Sequence, residues 1–476
     1  MLEEELIQLV YKISSEKCEK QHIELKKASG GTPSRLYDTL SSFSNQTGGG
    51  IIIFGIDEEA GHKVVGVYDA QDLQRKLVEQ SLQMEPVVRP LCTVAQVDGK
   101  VVVSAEISEC DIYNKPCFYK GAGRLRGAYI RVGDSDQPMT EYEIYSYEAF
   151  KRRIHDELRT IERATMAYLG KNNVSEYLIK LLRQKANLAN LDESRILETQ
   201  GIMQEGSPTL AGILLFGEYP QEFFPQLSVT AMVVQGKEIG DLGKDMERFV
   251  DNKRIEGTLS QMLEGTLAFV RRNMKVKTIV TEEGTRDDKP EYPIKAVREI
   301  ILNALIHRDY SVHTERSPIR LVMYEDRLEL ENPGGLYGRI TVDELGKVAA
   351  DTRNPYIAGT LEIMMDTENR FSGIPTVRAE LKKANMLAPV FIDRRGIFKV
   401  VFFNKRNVLG TDSDLEQEIL LFCTTPRTRE ELATRFGFDA PSYFIKNYIY
   451  PLIDNGKIAM AIPKKPKSKF QKYRSL

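Results

Sequence analysis

The stretches IELKK (23–27) and FSNQTGGGIIIFGID (43–57) decide how the N-terminal part of the chain is read. Both carry apolar, β-branched runs punctuated by Gly and Asp, which predicts short strands. VVVSAEI (101–107) and AYIRVG (128–133) repeat the pattern. Helical patterns alternate with these runs, so residues 1 to about 150 are expected to form an α+β or α/β unit. The first of them, MLEEELIQLVYKISSEK, is acidic and amphipathic. It lacks the basic start and apolar block of a secretory signal and reads as a first helix.

Farther along, Tyr147 to about Leu188 shows helical spacing among charges, and FKRRIHDELRTIERA (150–164) has the pattern of a solvated connecting helix. A second mixed segment carries LAGILLFG (210–217) and LSVTAMVVQG (227–236), then a long helical pattern from Phe249 to Arg272. A strong helix follows at IKAVREIILNALIHRDY (294–310). Two strands are expected in IRLVMYEDRLELENPGG (319–335), turning at Glu325-Asp326. Beyond the linker NVLGTDSD lies a small helical segment ending in a basic hairpin. The expected domains are therefore 1–147, a helical connector over 148–204, 205–408, and 411–476.

Composition sets limits on function. A chain of 476 residues is too long for one ordinary core, and three domains is the natural expectation. The 42% hydrophobic and 28% charged residues are those of a globular protein, and no run approaches the roughly 20 apolar residues of a membrane span. Five cysteines, an odd number without a CxxC pair, argue against a disulfide framework or a structural zinc site and fit a cytoplasmic location. Net charge is -2, so contacts to nucleic acid have to come from local patches.

Glu19, Glu24 and Asp57 form the first constellation. Glu24 sits on an apolar strand and Asp57 ends another; if the strands are neighbours, the carboxylates converge at one sheet edge. Convergent carboxylates can hold Mg²⁺ or Mn²⁺ for a phosphodiester displacement, with Lys26, on the same strand face as Glu24, neutralising a phosphate. Strand ends also carry acids simply for solubility, and spacing alone favours that reading. Tyr119, Lys120, Arg124, Arg126 and Arg131 interleave with glycines and suit a phosphate-binding loop, although a solvated hairpin has the same composition.

The runs E-x-x-x-x-E-L-K (19–26), FSNQTGGGIIIFGID, KPCFYKG (115–121) and GAYIRVGDSDQPMT (127–140) together resemble the Schlafen AlbA domain. The resemblance implies a nucleic-acid-binding α/β fold. In some Schlafen relatives it also implies a metal-dependent nuclease, whose acidic triad falls on Glu19, Glu24 and Asp57. The usual E-F-K is E-L-K here.

In the central segment, Glu299 and Asn303 stand one helical turn apart, where a carboxylate orients water and an amide ligates Mg²⁺; a loop contact for Asn303 fits equally. Downstream come Glu331-Asn332-Pro333-Gly334-Gly335, then Arg353-Asn354-Pro355, then Phe371-Ser372-Gly373-Ile374-Pro375. Glycine turns that open a helix bring backbone amides to phosphates. In this order the motifs resemble the divergent GHKL-type ATPase fold. The resemblance implies ATP as ligand, Glu299 and Asn303 as the Mg²⁺ helix, Glu331, Asn332, Gly334 and Gly335 on the adenine side, and Ser372 and Gly373 on the phosphate side. Glu331 in place of an aspartate and Phe371 in place of a glycine favour binding over fast hydrolysis. There is no GxxxxGK[ST] motif, against a P-loop ATPase. His307 reads as structural, with Arg308 either core or a phosphate contact.

The C-terminal segment predicts three amphipathic helices, with Thr428 and Glu431 as a capping box, before a hairpin. This is the winged helix-turn-helix plan. Lys464, Lys465, Lys467, Lys469, Lys472 and Arg474 are six cations with no anion among them, suited to phosphates; a dimerisation role fits the same pattern. The expected fold class is thus multidomain α+β: a Schlafen/AlbA-like α/β domain, a GHKL-like α/β sandwich and a winged helix. The expected function is that of an ATP-responsive transcriptional regulator on DNA or RNA, a homodimer or higher oligomer with no membrane. A metal-dependent nuclease acting on RNA or DNA, with phage defence as its setting, is the alternative.

Overall fold

The computed structural model describes residues 1–16, 21–241, 246–280, 286–348, 351–365, 373–394, 396–404, 416, 419–436, 441–462, 468 and 471–476. The chain forms two compact units, one from Met1–Arg152 with Thr411–Leu476, the other from Arg153–Gly410.

In the first unit, helix α1 (Glu3–Glu16) precedes strand β1 (Ile23–Lys26), helix α2 (Tyr37–Asn45) and strand β2 (Gly50–Phe54). Strands β3 (Leu91–Val97) and β4 (Lys100–Ile107) complete a sheet in the order β1-β2-β4-β3. β1 and β2 run parallel, with Glu24 opposite Ile52. The glycine run before β2 has a steric cause. Gly49 has φ +68, and a Cβ there would stand 2.1 Å from the Ile107 carbonyl oxygen. Leu40, Phe43, Ile52, Phe54, Val103 and Ala105 pack into one core cluster, while Leu6, Val10, Ile13, Ile53 and Val102 pack into another. A hairpin of β5 (Tyr129–Val132) and β6 (Ser135–Pro138) and helix α3 (Glu141–Arg152) follow.

The expected connecting helix ends at Arg152. Residues 153–170 are mostly irregular, and helix α4 (Lys171–Gln184) comes after them. Far from being solvated, this stretch supplies Ala164, Leu169, Val174, Tyr177 and Leu181 to the second unit's core. Its charges hid buried positions: Glu157 is fully buried and accepts from the backbone N–H groups of Tyr356 (3.0 Å) and Ile357 (2.8 Å).

The second unit is a six-stranded mixed sheet. Its strands are β7 (Val229–Val233), β8 (Asp251–Ile255), β9 (Ile319–Met323), β10 (Arg327–Pro333), β11 (Val390–Arg394) and β12 (Ile397–Phe403), in the order β8-β7-β9-β10-β12-β11. LAGILLFG folds as helix α5 (Leu210–Phe216), capped by Thr209. The long helical pattern from Phe249 breaks into β8 and helix α6 (Leu259–Asn273). Thr258 and Gln261 form a capping box at that boundary, which stops the helix from extending back. Helix α7 (Ile294–His307) is buried along most of its length. β9 and β10 pair as the expected hairpin, Arg320 opposite Glu331. Helices α8 (Pro355–Met365) and α9 (Gly373–Lys383) complete the helical side of the core.

In the C-terminal segment Thr428 and Glu431 cap helix α10 (Arg429–Arg435) as a capping box. A continuous helix spans Pro441–Asp454 with a π-helical stretch at Ile445–Ile449. Strands β13 (Arg427–Thr428), β14 (Ile458–Met460) and β15 (Lys472–Ser475) form a sheet in the order β13-β15-β14. Phe444, Ile449, Leu452, Ile458 and Tyr473 are buried.

Candidate functional site

A cavity of about 850 Å³ lies within the second unit, between α7, the end of β10 and the start of α9. Asn303, Asn332, Gly334, Gly335 and Gly373, five residues from three separate sequence motifs, line it together. Strand alternation explains one of these placements. Leu330 and Asn332 line the cavity, while Glu329 and Glu331 carry the opposite face of β10 and pair with Lys399, 2.9 and 2.8 Å away. Glu331 also meets Arg320 at 3.2 Å. The expectation that Glu331 faces an adenine is therefore corrected: the period of two points it away and leaves Asn332 as the polar group on that wall. Glu299, one turn before Asn303, is not among the lining residues. Burial raises its carboxyl above the usual range, against the opposing pull of Arg298 and Lys295. Ser372 and Phe371 lie outside the described residues.

Two polar atoms have no hydrogen-bond partner in this wall, Asn303 Nδ2 and Asn332 Oδ1, both buried. A buried amide left unpaired costs roughly 1–3 kcal/mol, so these atoms are where a ligand's complementary groups would be repaid most. The backbone is drawn close at the same places. A Cβ on Gly373 would stand 2.9 Å from Asn303 Nδ2, and one on Gly334, at φ +102, would stand 2.4 Å from Arg353 Nη1. The remaining lining is largely apolar, with Ile300, Leu336, Ile340, Leu345, Phe398 and Val400 among it. These donors, acceptors and apolar walls fit a nucleotide.

Arg353-Asn354-Pro355 had no assigned role in the sequence. Arg353 meets Asp309 at 3.1 Å and lies 5.0 Å from the Tyr337 ring, bracing the glycine turn. Asn354 is fully buried and donates to the Ile306 and Arg308 carbonyls, at 2.8 and 2.7 Å, closing the end of α7. Arg308 is core: it donates to Thr314 O and Ser317 O. His307 lines the cavity instead of lying wholly in the core. Lys347, Asp351 and Tyr337 also line it, and no local motif announced them.

In the first unit, Glu24 and Asp57 have separate partners. Glu24 is buried and held by Arg131 at 2.8 Å and by Lys26. Asp57 is held by Lys27 at 2.8 Å, whose hydrogen bond lowers its carboxyl below the usual range. Glu19 lies outside the described residues. Among the described residues no group of three or more His, Cys, Asp or Glu side chains is placed to hold a metal. Glu24 and Asp57 are each paired with a cation of the protein itself. Lys26 is tied to Glu24 by an ion pair.

Arg131 is also corrected as a nucleic-acid contact. It is 4% exposed and bridges Glu24 and Asp136, the latter at 3.0 Å. Its position on β5 turns it inward, which composition did not reveal. Arg124 pairs with Glu148 and lies over Phe118. Lys120 and Arg126 are exposed, and residues 124–127 form a single helical turn, not an open loop. At the C-terminus Lys472 and Arg474 are exposed on β15, alternating with buried Tyr473. Lys464, Lys465, Lys467 and Lys469 lie outside the described residues.

Fold and site together define a multidomain α/β protein in which a helix-backed mixed sheet carries a glycine-lined cavity. The family described as "Schlafen, AlbA_2" matches residues 19–140. The family described as "Putative ATP-dependent DNA helicase recG C-terminal" matches 316–402. The chain carries a Schlafen AlbA-type domain followed by a RecG-like domain of the HATPase type. A domain of unknown function matches 147–230, and the "Filamentation induced by cAMP protein Fic-like, C-terminal domain" matches 417–475. No curated protein matches the chain. Among solved structures, the DIP2311 protein from Corynebacterium diphtheriae is 17% identical over 96% of this chain and 93% of its own, with a TM-score of 0.42. The N-terminal domain of a RecG-related protein from Nitrosomonas europaea is 30% identical over 28% of this chain and 92% of its own, with a TM-score of 0.23. Among the described residues no helix is long and apolar enough to cross a membrane.

Proposed function

We propose that this protein is a nucleic-acid-binding regulator whose second unit binds ATP, and that nucleotide occupancy biases how it engages DNA or RNA. The observation that carries the reading is the cavity, which Asn303, Asn332 and Gly373 all line and where two amide atoms lack partners. The HATPase-type match over 316–402 supports ATP as the nucleotide. Backbone amides at the start of α9 suit phosphates, and the apolar wall suits a base. Asn303 is the residue that would ligate Mg²⁺ brought in with the triphosphate.

The AlbA-type match and exposed Lys120, Arg126, Lys472 and Arg474 support contacts to a phosphate backbone. The helix order and small sheet of residues 419–476 suit a winged helix, with β14 and β15 as the wing. ATP shifts the nucleic-acid equilibrium only insofar as it binds two conformations unequally. Nuclease chemistry is the weaker reading, because Arg131 and Lys26 already occupy Glu24.

The test incubates the protein and Glu24→Ala with labelled DNA and RNA, with Mn²⁺ or EDTA, with and without ATP, across a salt series. The expected result is intact nucleic acid retained at low salt, with ATP changing the midpoint. Metal-dependent cleavage by wild type, abolished by EDTA and lost in a Glu24→Ala protein whose circular dichroism shows it still folded, would replace the regulator with a nuclease, and no retention at low salt would remove both readings.

A further inference from the structure

We propose that His307 reads the sugar of the nucleotide, exchanging hydrogen bonds with ribose hydroxyls and so selecting ribonucleotides over deoxyribonucleotides. This rests on the cavity being a nucleotide site, and adds a specificity-determining residue to it.

The argument is positional. α7 runs along the cavity and presents Asn303 and His307 to it, one helical turn or about 5–6 Å apart. The Asn303 end is fixed beside Gly373, at the start of α9. The His307 end approaches β10, because Asp309, two residues on, donates its backbone N–H to the Pro333 carbonyl at 3.0 Å. The polar stations of the cavity therefore come in the order Gly373 with Asn303, then His307, then Asn332 with Gly334. A nucleotide has the same three parts in the same order. Phosphates at the first station and base at the third leave the sugar opposite the imidazole.

The chemistry of the ring matches. His307 lines the cavity and, among the described residues, its ring makes no hydrogen bond. Burial, with Arg353 adding to it, pulls the imidazole down to about 4, and it is neutral near pH 7. A neutral imidazole offers one N–H donor and one acceptor, the complement of a hydroxyl group. A histidine that merely packs against the wall would be indifferent to the sugar.

The experiment is calorimetric titration of the full chain with ATP, 2′-deoxyATP and 3′-deoxyATP in Mg²⁺, for wild type, His307→Ala and His307→Gln. 2′-DeoxyATP is expected to bind wild type about tenfold more weakly than ATP. His307→Ala should lose a similar factor for ATP and nothing further for that analogue, because the two changes remove the same hydrogen bond. His307→Gln, which keeps a donor and an acceptor, should recover part of the ATP affinity. Equal losses for all three ligands in His307→Ala would overturn the proposal and leave the nucleotide site standing. Wild type binding all three equally would do the same without any variant, should His307→Ala fail to fold. Wild type binding none of them would overturn both.

Discussion

Arg131 holds two carboxylates in a place where almost no water reaches it. Its side chain is 1% exposed, with Glu24 at 2.8 Å and Asp136 at 3.0 Å. Removing one partner of a buried ion pair strands the other, at about 3–5 kcal/mol. Arg131→Ala is therefore expected to lower the denaturation midpoint severely, while exposed Arg126→Ala stays within about 0.5 kcal/mol of wild type. Urea titration compares them directly. Two titrating groups in the second unit pull in opposite directions. Burial raises Glu157 to about 7 from 4.5, and burial lowers His307 to about 4 from 6.5. Between about pH 4.5 and 7 the folded state holds more protons at Glu157 than the unfolded one, so that contribution to stability falls as pH rises. Between about pH 4 and 6.5 the unfolded state holds more protons at His307, so that contribution falls as pH drops. Each is bounded by roughly 3 kcal/mol. Wild type should show a shallow stability profile over pH 5–6.5, and Glu157→Gln one that rises with pH. A flat profile in the variant would remove His307 as a titrating group.

At the level of elements, the glycine before β2 is expected to be irreplaceable. Gly49→Ala puts a Cβ against the Ile107 carbonyl in a left-handed backbone, and should cost at least about 2 kcal/mol. The cap at Thr428 is a milder case. Thr428→Ala removes an acceptor from the Glu431 N–H and should cost about 1 kcal/mol, read by thermal melting. Both features were legible in the sequence, the first as a glycine run before an apolar strand and the second as T-x-x-E. The hairpin at Glu325-Asp326 was legible too, because the period of two is strong on both sides of it. The connector was not, because Glu157 and Arg159 read as surface charges, and only tertiary packing makes Glu157 a buried cap. The site was half legible. Asn303, Asn332 and the glycines follow from motif order. Whether Glu331 or Asn332 faces inward depends on strand register, which spacing alone does not fix. The Asp309–Arg353 pair joins residues 44 positions apart, beyond any local pattern.

For the whole molecule, the nucleotide reading makes a regional prediction. ATP at about a hundred times its Kd adds about 2.7 kcal/mol to whatever binds it. Hydrogen exchange should then slow over 294–307, 332–335 and 373–383, and stay unchanged over 23–57. Uniform protection across both units would argue that ATP binds elsewhere as well.

The division of the chain has its own consequence. The first unit draws on segments from both sides of the second, Met1–Arg152 and Thr411–Leu476. On the ribosome, the whole of the second unit is synthesised before the first receives its last segment. The second unit can therefore close before residues 411–476 exist, and a message truncated after codon 410 is expected to yield a folded second unit, checked by an unchanged melting transition of that unit.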